Sequence, residues 1–311
     1  MSTSSRPVVK WILRIVAVLL VLSIAIPGVV VAGAAWRFDK LSSESLAAPA
    51  SLGFEPVEGS GAEVVAEAER LFRSRGCADC HGLAGDGRQF MDDPDMGAFI
   101  GANITSGAGG LPSTYGPAEF DAAVRHCVGH ESTRLFFMPC RDYMSMGDRD
   151  LAMIWSHVQR LAPMDATPAS EPTLLARVLV GAGIVPWFEY DLIDHVAARQ
   201  PMPEVGPTVA YGEYMSGACV GCHGQQFSGG PLPGAPPSVP VPQNLTPHES
   251  GLAGWTYDQF ATAVRTGVRP DGTEIDPFMP AENSFGLMTD VEMQALWAFM
   301  QSLPPVAEGN R

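Results

Sequence analysis

Two short motifs combine residue types that can bind metals or attach a cofactor, Cys77–His81 and Cys219–His223. Both read Cys-x-x-Cys-His. At the start of a helix, this spacing lets the two thiols reach the two vinyl groups of one porphyrin while the imidazole points at its iron. The motifs therefore predict two covalently bound haem c groups. The residues expected to hold them are Cys77, Cys80, His81, Cys219, Cys222 and His223.

A single Cys-x-x-Cys pair is also found in dithiol redox sites and in zinc sites. Here both pairs are followed by His-Gly. A zinc site would not require a histidine directly after the second cysteine in both copies. The duplicated motif therefore favours haem over zinc or dithiol chemistry.

The two motifs begin two copies of one repeated unit. Three further motifs follow each of them in the same order: Asn-(Ile/Leu)-Thr at 103–105 and 244–246, Phe-x-x-x-Val-Arg at 120–125 and 260–265, and Phe-Met-Pro at 137–139 and 278–280.

Met138 and Met279 are predicted to be the second axial ligands, through their thioether sulfurs. Met138 lies 57 residues after His81, and Met279 lies 56 residues after His223. Two haem domains of equal design should place the distal ligand at the same offset. Methionine more often fills a core, but each of these two is followed by a proline, which lacks an N–H and stiffens the loop.

Other candidate ligands lie near the first motif, namely Met144, Met146 and His130. Met146 aligns with Met288 of the second copy and is expected to be a core residue, whereas His130 has no counterpart there. The histidines that are unmatched between the copies are expected to lie on the surface or to form hydrogen bonds: His126, His157, His195 and His248.

Arg125 and Arg265 occupy matching positions in the two copies. Because a guanidinium group suits carboxylates, one hypothesis pairs them with the haem propionates. The alternative is an ordinary arginine on a helix surface.

Cys127 and Cys140 have no counterparts in the second copy. An exported chain meets an oxidising compartment, where a disulfide between them would restrain the loop that carries Met138. The alternative is two buried free thiols.

The amino-terminal segment Ile15–Trp36 contains 22 residues without a charge, which is long enough for a transmembrane helix. Arg6, Lys10 and Arg14 precede it, so we expect the amino terminus in the cytoplasm and the haem domains in the periplasm. The alternative is a cleaved signal peptide, because residues 32–34 read Ala-Gly-Ala.

The formal net charge of the chain is −15. This argues against nucleic-acid binding, which requires a basic face. It is consistent with docking on a basic face of a redox protein, since opposite potentials speed encounter. Alternatively, the acidity serves solubility alone.

On both Cys-x-x-Cys-His motifs and the three repeated motifs after them, the sequence resembles the membrane-anchored di-haem cytochromes c of bacteria. In particular, it is similar to the class I cytochrome c domains in the cytochrome subunits of membrane-bound alcohol, aldehyde and gluconate dehydrogenases. The similarity covers residues 62–303, and the second copy matches better. Those subunits commonly have three haem domains and a carboxy-terminal anchor, whereas this chain has two motifs and an amino-terminal apolar segment.

The resemblance implies an all-α fold with two tandem class I cytochrome c domains preceded by one transmembrane helix. The apolar residues 173–185 predict a short helix that lies against one of the domains. The expected boundaries are 1–40 for the anchor or signal segment, 41–61 for a tether, 62–162 for the first haem domain, 163–205 for a linker, 206–304 for the second haem domain and 305–311 for a tail.

Iron held by histidine and methionine has no open coordination position, which favours one-electron transfer over catalysis. We therefore expect an electron carrier that is not itself an enzyme and that serves redox proteins at the bacterial inner membrane. The alternative is a cytochrome subunit of a dehydrogenase or oxidase complex. A di-haem peroxidase is less favoured, because it requires a haem that can open a site.

Overall fold

The computed structural model describes residues 5–47, 49, 52–57, 59–197, 201–233, 235 and 238–310. The predicted tether and the predicted linker therefore lie partly outside the described residues.

The first helix, α1 (Ser5–Ser43), is 39 residues long. Within the described part of the chain, one helical segment, Val9–Ser43, is long and apolar enough to cross a membrane, with a mean hydropathy of 2.9. Most of its apolar side chains are exposed, Ile24 to 76%. An apolar helix of this kind suits a lipid environment, as the sequence predicted.

The first repeat contains four helices, α2 (Ala62–Ser74), α3 (Cys77–His81), α4 (Pro117–His126) and α6 (Asp148–Val158), and a single turn of helix, α5 (Cys140–Tyr143). Helices α2 and α6 pack against each other through apolar faces. Leu71, Phe72 and Leu151 are almost completely buried in this core. Their spacing on each helix places them on one face, as an amphipathic helix requires.

The second repeat has the same order of helices, α8 (Val209–Met215), α9 (Gly217–His223), α10 (Tyr257–Thr266) and α11 (Asp290–Ser302). Helices α8 and α11 form its central contact. Helix α11 begins at a capping box in which Thr289 and Glu292 bond each other's backbone N–H groups. This box satisfies N–H groups that would otherwise have no partner in the first helical turn. The structure is mostly helical, as predicted.

A small antiparallel sheet was not predicted. Its strands are β1 (Gln89–Asp93), β2 (Gly97–Ile100) and β3 (Glu171–Pro172), in that spatial order. The strands contain five, four and two residues, which is too short for a clear alternating pattern. Phe99 of β2 is fully buried and lies 4.7 Å, between ring centroids, from Phe137. The sheet thus supports the loop that precedes Met138.

Helix α7 (Leu174–Gly181) lies within the apolar segment at 173–185 that predicted a short helix. It contacts the first repeat through Ala176 and also packs along the end of α1. Val180 and Val185 form a buried cluster with Phe38 of α1. The last two turns of α1 are therefore fixed to the globular part of the molecule.

Candidate haem centres

Each Cys-x-x-Cys-His motif folds as a short helix, α3 in the first repeat and α9 in the second. Helix α3 follows Gly76, whose φ of 80° turns the chain sharply after α2. Helix α9 begins one residue after α8 ends, at Ser216. In both cases the two cysteines lie one helical turn apart on the same side of the helix, as attachment to one porphyrin requires.

The two motif histidines have the same hydrogen-bonding environment. Nδ1 of His81 lies 2.8 Å from the carbonyl oxygen of Ala102, and Nδ1 of His223 lies 2.7 Å from that of Gln243. Because a carbonyl can only accept, each Nδ1 carries the proton and the ring lone pair is on Nε2. Burial also lowers the pKa of His81, which favours the neutral imidazole that binds a metal.

The repeated Asn-x-Thr motifs hold the loops that supply these carbonyl groups. Oδ1 of Asn103 accepts from both the backbone N–H and the hydroxyl of Thr105, at 2.9 and 2.8 Å. Asn244 and Thr246 repeat both bonds at the same distances. Each asparagine directly follows the residue whose carbonyl meets the histidine. The sequence revealed this motif as a repeat, but its role in orienting the imidazole emerges from the structure.

The motif thiols lie at or near the surface of their helices. Cys77, Cys80 and Cys219 are half-buried, and Cys222 is exposed. Burial raises the pKa of Cys77 and of Cys219 to about 12, and that of Cys80 to about 11. These three thiols are therefore protonated at neutral pH, the form whose S–H can add across a vinyl group.

The loops around Met138 and Met279 have the same local geometry. The backbone carbonyl of Met138 accepts from the N–H of Cys140 at 2.9 Å, and that of Met279 accepts from Ala281 at 2.8 Å. In each loop, Pro139 or Pro280 stands at the centre of this bond. Both methionines are half-buried. The donor set of each repeat, an oriented imidazole and a thioether on a stiff loop, fits haem c.

The alternative ligands of the first repeat have other surroundings. Met146 is buried in the core beside Leu151, and its counterpart Met288 is buried in the second core. Met144 is 39% exposed. The unmatched histidines contact protein groups: His126 contacts His195, His130 lies beside Glu131, His157 packs on Phe72, and His248 contacts Ser250.

The two matched arginines differ in their environment. Arg125 is buried, with Nε 2.6 Å from Asp121 and Nη1 2.8 Å from Asp148. Arg265 is partly exposed and pairs with Asp290 at 2.8 Å. Protein carboxylates therefore engage both guanidinium groups, and contact with haem propionates remains a prediction.

Cys127 and Cys140 form a disulfide in the structure. Both are fully buried and pack with Ile193 and Met138. The backbone carbonyl of Met138 lies 3.5 Å from each sulfur. The cross-link thus lies directly beside the first methionine loop.

The second motif helix packs against the first repeat, just after the first methionine loop. Helix α5 lies against α9. A Cβ added at Gly221 would lie 2.3 Å from a carboxylate oxygen of Asp142, so a larger residue between Cys219 and Cys222 would displace α5. Burial, and then the charge of Glu189, raise the pKa of Asp142 to about 7.

The first motif helix makes the reciprocal contact. Asp79, between Cys77 and Cys80, accepts a 2.7 Å hydrogen bond from the hydroxyl of Ser284. Ser284 lies five residues after Met279. Each motif helix therefore touches the segment that follows the other repeat's methionine loop.

Two further contacts join the repeats. The ring of Phe90 lies 5.8 Å from that of Phe137 and 5.5 Å from that of Phe278, the two residues that precede the predicted axial methionines. The buried Arg75–Asp150 ion pair, at 2.6 Å, also receives a 2.8 Å hydrogen bond from Tyr214 of the second repeat. The repeats thus share a partly buried polar and aromatic interface.

Comparison with known proteins covers the second repeat most clearly. Residues 208–300 match the family described as cytochrome c oxidase, cbb3-type, subunit III. The gluconate 2-dehydrogenase cytochrome c subunit of Pantoea cypripedii is 41% identical over 112 residues, which are 33% of this chain and 25% of that protein. The cytochrome c subunit of alcohol dehydrogenase (quinone) from Gluconacetobacter polyoxogenes is 35% identical over 130 residues, 39% of this chain and 28% of that protein.

These two matches thus span about a quarter of each dehydrogenase subunit. A longer match is a di-haem cytochrome c-type protein of Cereibacter sphaeroides, 26% identical over 274 residues, which are 76% of this chain and 85% of that protein. The resemblance predicted from the repeated motifs is confirmed. This chain is similar to cytochrome c subunits of dehydrogenases and, over most of its length, to a di-haem cytochrome c.

Proposed function

We infer that the chain is a membrane-anchored di-haem cytochrome c that transfers single electrons between redox proteins on the periplasmic side. The observation that carries this inference is the duplicated donor geometry: the same Nδ1-to-carbonyl bond and the same Met-Pro turn occur in both repeats. When bound, haem c supplies an iron that gains and loses one electron. The similarity to cytochrome c subunits supports this assignment.

The protein groups have separate roles in this proposal. Cys77 and Cys80 would form the thioether bonds of the first haem, with His81 and Met138 as its axial ligands. The corresponding residues of the second site are Cys219, Cys222, His223 and Met279. The carbonyl groups that accept from the histidines fix the ring orientation and increase its basicity.

Two occupied axial positions distinguish this proposal from a di-haem peroxidase. A peroxidase must release one ligand so that peroxide can bind. Here the disulfide beside Met138 and the proline after each methionine stiffen both ligand loops. We therefore propose an electron carrier or an electron-transfer subunit, not an enzyme in its own right.

The apolar helix is proposed to remain attached as the anchor. Residues 32–34, the alternative cleavage site, lie in the middle of the continuous helix α1. Ala34 is only 9% exposed, because it packs against α7. Processing at this position would cut a helix at its contact with the globular part.

The likeness to dehydrogenase subunits supports a second candidate, in which the chain is the cytochrome subunit of a membrane-bound dehydrogenase complex. The acidic chain would then dock on a basic face of its electron donor. Stopped-flow reduction of the purified protein by a candidate donor separates attraction from mere solubility. Attraction predicts a rate that falls steeply with ionic strength, whereas solubility alone predicts a rate that salt does not change.

Intact-mass measurement and a pyridine haemochrome assay of the full-length protein test the cofactor assignment. We expect two covalent haems and an uncleaved amino-terminal helix. The double variant Cys219→Ser/Cys222→Ser should lose one of the two covalent haems. Cys127→Ser/Cys140→Ser is the matched control and should keep both. A wild-type protein without covalent porphyrin, or one that turns over peroxide rapidly, would contradict the proposal.

A further inference from the structure

We propose that the turn at the end of helix α7, residues 181–184, is a second membrane contact that lies in the interface of the lipid bilayer beside α1. This inference rests on the proposed membrane anchor. It adds that the haem-bearing part is held at the bilayer in a fixed orientation and is not carried on a loose tether.

Helix α7 runs antiparallel to α1 and towards the membrane. Arg177 lies over the ring of Phe38 and forms a 2.6 Å ion pair with Asp39. One turn later, a Cβ added at Gly181 would lie 1.9 Å from the carbonyl oxygen of Ala34. Each turn forward in α7 therefore corresponds to one turn back in α1, in the direction of the membrane-spanning segment.

This pairing sets the depth of the turn. The uncharged run of α1 ends at Trp36, and Arg37 is the first charged residue after it. Gly181 is level with Ala34 and therefore lies inside the uncharged run. The end of α7 thus reaches the level at which α1 passes from the apolar core of the bilayer to the headgroups.

The composition of the turn suits that depth. Residues 178–188 contain no charged side chain, although the end of a helix in water is usually polar. Ile184 is 59% exposed, and Ala182 and Gly183 are also exposed. The chain reverses here through Gly183, whose φ is 76°, and the amide of Ile184 bonds the carbonyl of Leu179 at 2.9 Å. An apolar tip with satisfied backbone groups can enter the interface at little cost.

The surrounding residues of α1 are those expected at a headgroup region. Trp36 is 65% exposed, and tryptophan prefers the membrane–water interface. Lys40 lies 5.9 Å from the centre of the Trp36 ring. Arg37 is exposed and lies next to Gly183. Cations at this level can contact lipid phosphates, which favours lipid over a protein partner as the occupant.

Photocrosslinking in the full-length protein tests the contact. A benzophenone amino acid replaces Ile184, Ile24 or Val196, and each protein is placed in nanodiscs of phosphatidylethanolamine and phosphatidylglycerol. Ile24 lies in the middle of the spanning segment and reports the anchor itself. Val196 is 88% exposed on a different turn and is the matched control. Mass spectrometry then identifies the adducts.

We expect lipid adducts at positions 24 and 184 and none at 196. Adducts at 24 without adducts at 184 would overturn the second contact and leave the anchor in place. Equal adducts at 184 and 196 would overturn it too, because any exposed site would then react. Crosslinks from 184 to protein would replace lipid by a partner chain as the occupant. No adduct at 24 would contradict the anchor on which the inference rests.

Discussion

In the first repeat, Met138 lies beside the Cys127–Cys140 disulfide, and Arg125 is buried between two carboxylates. In the second repeat, the loop before Met279 contains no cysteine, and Arg265 pairs with one exposed carboxylate. The groups that orient the imidazole and the methionine loop are nevertheless the same. The comparison teaches that the donor geometry is common to both repeats, whereas the interactions that stabilise the surrounding fold differ.

The largest expected difference concerns the two matched arginines. Arg125→Met should lower the free energy of unfolding by about 3–5 kcal/mol, because the completely buried Asp121 loses its guanidinium partner. Arg265→Met should lower it by less than about 1 kcal/mol, since its partner Asp290 is 83% exposed. Denaturant unfolding followed by circular dichroism measures both. Equal losses in the two variants would show that burial does not distinguish the repeats.

The disulfide provides a second, smaller difference. Cys127→Ser/Cys140→Ser opens a loop with a sequence separation of 13 and should destabilise the first repeat by about 2–4 kcal/mol. On heating, we expect the spectroscopic signal of Met138 ligation to disappear at a lower temperature, with that of Met279 unchanged. If both signals shifted together, the cross-link would stabilise the whole molecule and not one loop.

The reciprocal contacts between the repeats predict a pH effect. The carboxyl of Asp142 has an ordinary pKa of 3.8, and burial raises it to about 7 in the folded protein. Between these values the folded state binds more protons than the unfolded state, so stability should fall as pH rises from about 4 to about 7. Asp142→Asn should reduce this fall, measured as the thermal midpoint against pH.

Asp79→Asn is the matched variant at the other contact. Burial also raises the pKa of Asp79, but the hydrogen bond from Ser284 opposes this increase. We therefore expect a smaller change in pH dependence than for Asp142→Asn. A pH profile that neither substitution alters would assign the titration to other groups, such as Glu189, whose pKa burial also raises.

The sequence predicted features that depend on local spacing. The cysteine and histidine spacing predicted the positions of α3 and α9, and the equal offsets predicted two equivalent methionine loops. The small sheet was missed because its strands are too short to show a period. The contact of Gly221 with Asp142 joins residues that are distant in the chain and leave no local pattern. The Asn-x-Thr repeat was visible, but its role required the position of the neighbouring carbonyl.

The central claim, that both repeats hold iron between an imidazole and a thioether, is tested most directly by near-infrared magnetic circular dichroism of the oxidised full-length protein. The account predicts a methionine-to-iron charge-transfer band from both haems. Met138→Leu and Met279→Leu should each remove about half of its intensity, and Met144→Leu should remove none. A wild-type spectrum with a five-coordinate high-spin haem, or without the methionine band, would contradict it.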